Sequence, residues 1–259
     1  MADSAHTTVD PAEIERFSRI AGEWWDPAGK FAPLHRLNPL RIGYIRDRAA
    51  QHWQRDALSG VPLQGLSLLD IGCGGGLLSE PMARLGGRVT GVDAAARNIR
   101  VAAQHAEKQG LDIDYRQGAA EALAESGIQF DIVLALEIVE HVADVELFLK
   151  SCGRMVKPGG LLFLSTLNRT AKAWALAIAG GEYILRWLPR GTHDWKKFLK
   201  PSEVVNGLDA AGIAAQEIVG VVYSPLSRAW SLSKSDLDVN YMLYGTRPVI
   251  PTEAERNEA

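Results

Sequence analysis

The chain has 259 residues, 47% of them apolar, with 28 Lys and Arg against 31 Asp and Glu for a formal net charge of −3. That length suits one α/β domain with additions and a core that needs no disulfide staple, and the slight acidity argues against a nucleic-acid partner held by a strong basic field. Two cysteines, Cys73 and Cys152, make neither a disulfide framework nor a metal-ligand spacing, which points to free thiols in a reducing compartment. The N-terminus has no basic head followed by an apolar run, and no stretch reaches the ~20 apolar residues of a membrane-spanning helix. A cytoplasmic protein is the expectation.

In chain order, a polar start gives way at Pro11 to a helical stretch over 13–24, closed by Trp24-Trp25-Asp26-Pro27. Residues 31–38 read as a loop and 39–55 as a second helix, so that 1–60 is an N-terminal helical extension. An apolar strand over 66–71 then enters the turn Gly72-Cys73-Gly74-Gly75-Gly76. A helix opens at Leu77, and a second strand from Arg88 ends on Asp93. A helix over 94–109 stops at Gly110. A strand over 113–116, a short helix over 119–125, a buried strand over 130–136 and a helix over 142–156 follow. Lys157-Pro158-Gly159-Gly160 ends that helix ahead of a fifth strand over 161–166. After an inserted segment, 171–198, come a helix over 201–211 and closing strands over 216–223 and 239–246. Alternating strands and helices predict an α/β fold, a mostly parallel seven-stranded sheet with helices on both faces, in a domain spanning 61–250. Residues 251–259 read as a disordered, charged tail. Ligands are expected at the carboxyl ends of the strands, near the switch in strand order.

The glycine turn carries most of the functional information. A dinucleotide fingerprint requires a third glycine at 77, where Leu77 stands. Asp70, two residues before Gly72, sets a carboxylate beside the turn, a poor neighbour for a pyrophosphate that prefers a bare helix N-terminus. A phosphate-free cofactor with a cationic amino-acid group would tolerate that charge. Gly72 and Gly74 let the backbone approach a ligand, and Asp93 is placed to accept hydrogen bonds from two ribose hydroxyls. Asp-x-Gly-x-Gly-x-Gly followed by this acid resembles the S-adenosylmethionine site of class I methyltransferases, which implies a Rossmann-like fold with its last strand inserted antiparallel beside the fifth.

Leu136-Glu137-Ile138-Val139-Glu140-His141 follows the fourth strand. A helical turn would put Glu137, Glu140 and His141 on one face. Three readings stay open: the trio ligates a divalent ion such as Mg²⁺, His141 acts as a general base oriented by a Glu, or the residues only cap and pack. Leu136 is placed to line an adenine pocket or simply to fill core. The Asn/Asp-Pro-Pro-aromatic pattern of nucleic-acid amino methyltransferases is absent.

Several further blocks occur in order: Trp24-Trp25-Asp26, residues 34–41, residues 136–141, Ser165-Thr166-Leu167-Asn168-Arg169, Gly191-Thr192-His193-Asp194-Trp195 and Asp238-Val239-Asn240-Tyr241-Met242. Together they resemble the ubiquinone-biosynthesis O-methyltransferases, over about residues 12–247. The resemblance implies S-adenosylmethionine contacts at Arg41, Gly72, Asp93 and Leu136, where relatives often carry Met at the last position. It also implies a divalent-metal requirement met by Glu137, Glu140 and His141, a polyprenyl catechol or quinol substrate methylated at two stages, and company with other enzymes of that pathway. The insertion 171–198 is apolar and tryptophan-bearing, with five basic side chains against two acidic. It suits a peripheral contact with a membrane surface, a lid over the site, or both. Rival readings are a methyltransferase of another small phenol or amine, and a non-catalytic relative that serves as a scaffold.

Overall fold

The computed structural model describes residues 7–175, 194–227 and 229–249. Its centre is an eight-stranded sheet in the order β3-β2-β1-β4-β5-β8-β6-β7. The strands are β1 (Ser67–Ile71), β2 (Arg88–Asp93), β3 (Asp114–Gln117), β4 (Phe130–Leu136), β5 (Val156–Leu167), β6 (Ala214–Ser224), β7 (Ala229–Ser233) and β8 (Asn240–Thr246). β1 to β5 pair in parallel, while β8 runs antiparallel between β5 and β6, the insertion expected of the last strand.

Central strands such as Phe-Asp-Ile-Val-Leu-Ala-Leu are almost continuously apolar because successive side chains enter two different cores. On one face Val133, Ala135, Leu162 and Leu164 pack with Phe148, Leu149 and Cys152 of α6 (Val145–Met155) and Val204 and Leu208 of α8 (Pro201–Ala210). On the other, Ile132, Leu134, Phe163 and Met242 pack with Tyr44, Ile45 and Ala49 of α2 (Ala32–His52). The remaining helices are α3 (Ser79–Arg84), α4 (Ala96–Lys108), α5 (Ala120–Glu125) and the single turn α7 (Ala171–Ala173). Within the N-terminal extension, α1 (Pro11–Ile20) starts under an Asp10 cap that accepts from Ala12 N–H, with Pro11 in its first turn. None of its ten residues is fully buried, yet Phe17 and Ile20 pack against the cluster of Trp24, Phe31 and Leu77, and polar contacts add to that hold.

Three expectations need correction. The sheet has an eighth strand: β7 pairs antiparallel along the edge of β6, and its five-residue Ala-Trp-Ser-Leu-Ser run is too short to stand out in sequence. α2 starts at Ala32, where a loop was expected. Pro33 falls in the first turn, which requires no N–H, and Pro39 is accommodated inside the helix. β5 begins at Val156, which pairs with Phe130, and Lys157 to Gly160 form an irregularity before pairing with β4 resumes at Leu161. Residues 176–193 of the insertion and the tail 251–259 lie outside the described residues.

Candidate active site

The sheet changes direction between β1 and β4, and a cleft of about 760 Å³, its open mouth included, lies at the carboxyl ends of these strands. The glycine loop forms one wall. Gly72 N–H and Cys73 N–H both donate to Val92 O, at 2.8 and 3.1 Å, which folds the loop back over β2. Gly72 (φ +70°) and Gly74 (φ +55°) occupy the left-handed region, and a Cβ on Gly74 would come within 2.4 Å of the Trp24 ring. Only glycine fits there.

Asp93 closes the same wall from the end of β2. Its Oδ2 accepts from Gly74 N–H at 3.0 Å, and its Oδ1 accepts from Ala95 N–H at 2.8 Å and Asn98 Nδ2 at 3.2 Å. Burial pushes this carboxyl up, and those three donors partly offset the rise. Gly72, Gly74, Asp93, Glu137 and His141 all line the cleft.

Four other candidates sit behind the lining. Asp70 is turned beneath the loop, where its Oδ2 accepts from Ser79 Oγ at 2.6 Å and burial pushes its pKa up to about 7. It staples β1 to the start of α3. Leu136 packs against the core on the α2 face. Arg41, 4% exposed, reaches from α2 to Glu137 Oε1 at 2.7 Å, an ion pair whose cation is buried and whose carboxylate faces the cleft. Glu140 is likewise buried.

Glu137, Glu140 and His141 do not converge as a helical turn would make them. Glu137 has φ +52°, so β4 ends in a sharp left-handed residue, and only Val139–His141 form a short 3₁₀ turn. Glu137 Oε1 accepts from Ser165 Oγ (2.8 Å) and Asn240 Nδ2 (3.2 Å), on the α2 face of the sheet. Glu140 Oε2 accepts from Thr166 Oγ1 (2.8 Å), and Thr166 alternates to the opposite face. Burial, followed by the Glu137 charge, holds Glu140 well above the usual carboxylate range, which favours a neutral acid. His141 turns a third way, its Nδ1 3.2 Å from Glu13 Oε2 of α1. Among the described residues no group of three His, Cys, Asp or Glu side chains is placed to hold a metal ion. The expected three-ligand metal site is therefore not assembled, because the left-handed residue sends the two carboxylates to opposite faces.

Sequence reasoning missed the part played by the extension. Glu13, rather than Glu137, is the carboxylate against His141. Burial raises the Glu13 pKa, but the His141 hydrogen bond and the nearby cations leave it net below its ordinary value. Lys197, at the far end of the insertion, ties α1 down through Asp10 at 2.9 Å. Thr8 donates from its hydroxyl to Glu121 at 2.5 Å. Trp24 lies over the glycine loop, and Trp25 Nε1 donates to Gly75 O at 2.9 Å. The Trp-Trp pair is the available signal: it marks a helix end and a family block in the sequence, and neither reading places it over the glycine loop. An apolar wall of Ile138, Val142 and Phe148 completes the cleft.

A family model described as a methyltransferase domain matches residues 69–164. A ubiquinone biosynthesis O-methyltransferase of Sinorhizobium medicae is 56% identical over 96% of this chain and 100% of its own length. A protein of the same name from Bartonella quintana is 56% identical over the same shares. Among solved structures, magnesium protoporphyrin IX methyltransferase from Synechocystis, with bound SAH, matches 92% of this chain and 95% of its own, with a TM-score of 0.59 and 20% identity. An S-adenosylmethionine-dependent methyltransferase from Clostridium acetobutylicum matches 90% and 98%, with a TM-score of 0.60 and 12% identity. At such identities the structural likeness speaks to fold.

Proposed function

The chain belongs to the ubiquinone biosynthesis O-methyltransferase family, and from that premise we propose that it moves a methyl group from S-adenosylmethionine to a hydroxyl of polyprenyl catechol and demethylubiquinol intermediates, at both O-methylation steps. The observation that carries this reading is the full-length 56% identity to a relative of that name. The cleft suits it: a glycine loop open to a nucleoside, a carboxylate at ribose position, and an apolar wall.

In this reading Asp93 accepts from the ribose hydroxyls, Gly72 and Gly74 bring the backbone against the methionyl part, and Ile138, Val142 and Phe148 shelter the base. Asp70 and Arg41 act from behind, the first by fixing the loop and the second by fixing Glu137. The sulfonium is itself a good leaving group. The C–S bond breaks as the C–O bond forms, and S-adenosylhomocysteine departs. Holding the acceptor oxygen in line accounts for ~7–11 kcal/mol of the barrier. A phenol has a pKa of about 10, so its proton has to be removed. In this reading His141, whose Nδ1 lies 3.2 Å from Glu13 Oε2 and 3.3 Å from Arg16 Nη2, is the base that takes it. The donor set does not form a three-residue metal site, so no step is routed through a divalent ion.

We assign residues 171–198 to contact with a membrane surface, where a polyprenyl substrate resides. Trp174 and Trp195, at the described ends of the segment, are 51% and 37% exposed, which supports this. No helix among the described residues is long and apolar enough to cross a membrane. Turnover of a prenylated against an unprenylated catechol tests the substrate class. A clear preference for the prenylated acceptor is expected, and equal turnover of both would point to a soluble phenol.

A further inference from the structure

The N-terminal extension does more than cover the cleft. Trp24 is 7% exposed and Asn98, in the first turn of α4, is 2% exposed. Trp24 Nε1 donates to Asn98 Oδ1 at 3.0 Å, and Asn98 Nδ2 donates to Asp93 Oδ1 at 3.2 Å. An indole N–H can only donate, so it dictates which end of the Asn98 amide faces it. The amide end left over must be the NH₂ group, directed at Asp93. The carboxylate, an acceptor, makes the same choice from the other side; without the indole the amide keeps only that one anchor and can shift away from Asp93.

Trp24 is itself fixed on both sides. Phe31 stacks on it at 3.6 Å between ring centroids and 8° between planes. Its other neighbours are the glycines, for a Cβ on Gly74 or Gly75 would meet it at 2.4 Å. Its backbone oxygen lies 2.8 Å from His35 Nε2 of α2. The same residue thus limits where the glycine loop can sit and which way the Asp93 carboxylate points, and Trp24, Asn98, Asp93 and Gly74 all border the cleft.

We propose that Trp24, acting through Asn98, is a positioning residue for recognition of the cofactor ribose: it sets the Asp93 oxygens that receive the two hydroxyls. This rests on the reading that Asp93 binds the ribose of an S-adenosyl cofactor. It places part of the cofactor's specificity in the extension, outside the segment 69–164 that the methyltransferase family model matches.

The test uses the full-length protein, S-adenosylhomocysteine and its 2′-deoxyribosyl analogue, with affinities from calorimetry. Trp24→Phe keeps the ring and loses the donor. S-adenosylhomocysteine should bind about tenfold more weakly, as expected for an acceptor left unpaired in a buried site, and the preference for the ribosyl over the deoxyribosyl ligand should shrink. In kinetics, KM for the cofactor should rise while kcat holds. Asn98→Ala should reproduce the effect, and the double variant should be no worse than Asn98→Ala alone, since both changes break one chain. Unchanged affinity in Trp24→Phe would overturn the proposal. So would an equal loss for both ligands, which would make Trp24 a packing residue only. If Trp24→Phe does not fold, Asn98→Ala alone carries the same ligand comparison. Failure of the wild-type protein to bind S-adenosylhomocysteine would instead sink the functional reading on which the proposal stands.

Discussion

His141 Nδ1 lies 3.2 Å from Glu13 Oε2, which joins the turn after β4 to a helix 128 positions earlier in the chain. The carboxylate and the Arg16 guanidinium, 3.3 Å from the same nitrogen, hold the ring at the cleft. His141→Asn should therefore lower kcat by ~10²–10⁴-fold while S-adenosylhomocysteine binds as before. Glu13→Ala should lower kcat in the same direction by less. Steady-state kinetics alongside calorimetry checks both, and an unchanged kcat in Glu13→Ala would remove Glu13 from the mechanism.

Asp93→Ala should weaken S-adenosylmethionine binding by about 2–3 kcal/mol, the loss of charge-assisted hydrogen bonds to the ribose. Circular dichroism should show the fold retained. Calorimetry giving wild-type affinity would refute the ribose role.

Asp70 carries a pH signature. Its folded pKa is raised to about 7 by burial, against about 3.9 for an unfolded chain. The folded state holds the proton more tightly, so the contribution of the neutral acid is complete below pH ~4 and is lost as pH rises to about 7. Denaturant unfolding should show wild-type stability falling between pH 5 and 7 by about 2 kcal/mol relative to Asp70→Asn, which has no proton to lose. Parallel pH profiles for the two proteins would contradict the assignment.

The Arg41–Glu137 pair joins a buried cation to a carboxylate at the cleft wall, with Arg41 reaching Oε1 at 2.7 Å. Arg41→Leu leaves a carboxylate without its cation and should cost about 1–3 kcal/mol. Adding Glu137→Gln should recover part of that loss. Equal stability of the single and double variants in urea would show that the pair is not coupled.

Most of the frame was legible because it rests on local rules. Apolar runs marked the central strands, Gly72 and Gly74 marked the turn, and Asp93 marked the end of β2. What was hidden depends on contacts between distant segments or on one backbone angle. The φ of +52° at Glu137 is not written in its side chain, yet it sends Glu137 and Glu140 to opposite faces of the sheet and dissolves the expected ligand trio. The Glu13–His141 and Trp24–Asn98 contacts join an extension to a domain, and no periodicity reports such pairings. β7 was missed for another reason: a five-residue edge strand with one neighbour carries too short a pattern.

The central claim is methyl transfer to the oxygen of a polyprenyl catechol, and it is tested most directly by incubating the full-length protein with methyl-radiolabelled S-adenosylmethionine and a prenylated catechol. The account predicts label in an O-methyl ether, with one equivalent of S-adenosylhomocysteine formed per methyl group, and the same outcome with demethylubiquinol. Cofactor binding without label transfer to either acceptor, or label on carbon or nitrogen, would contradict it.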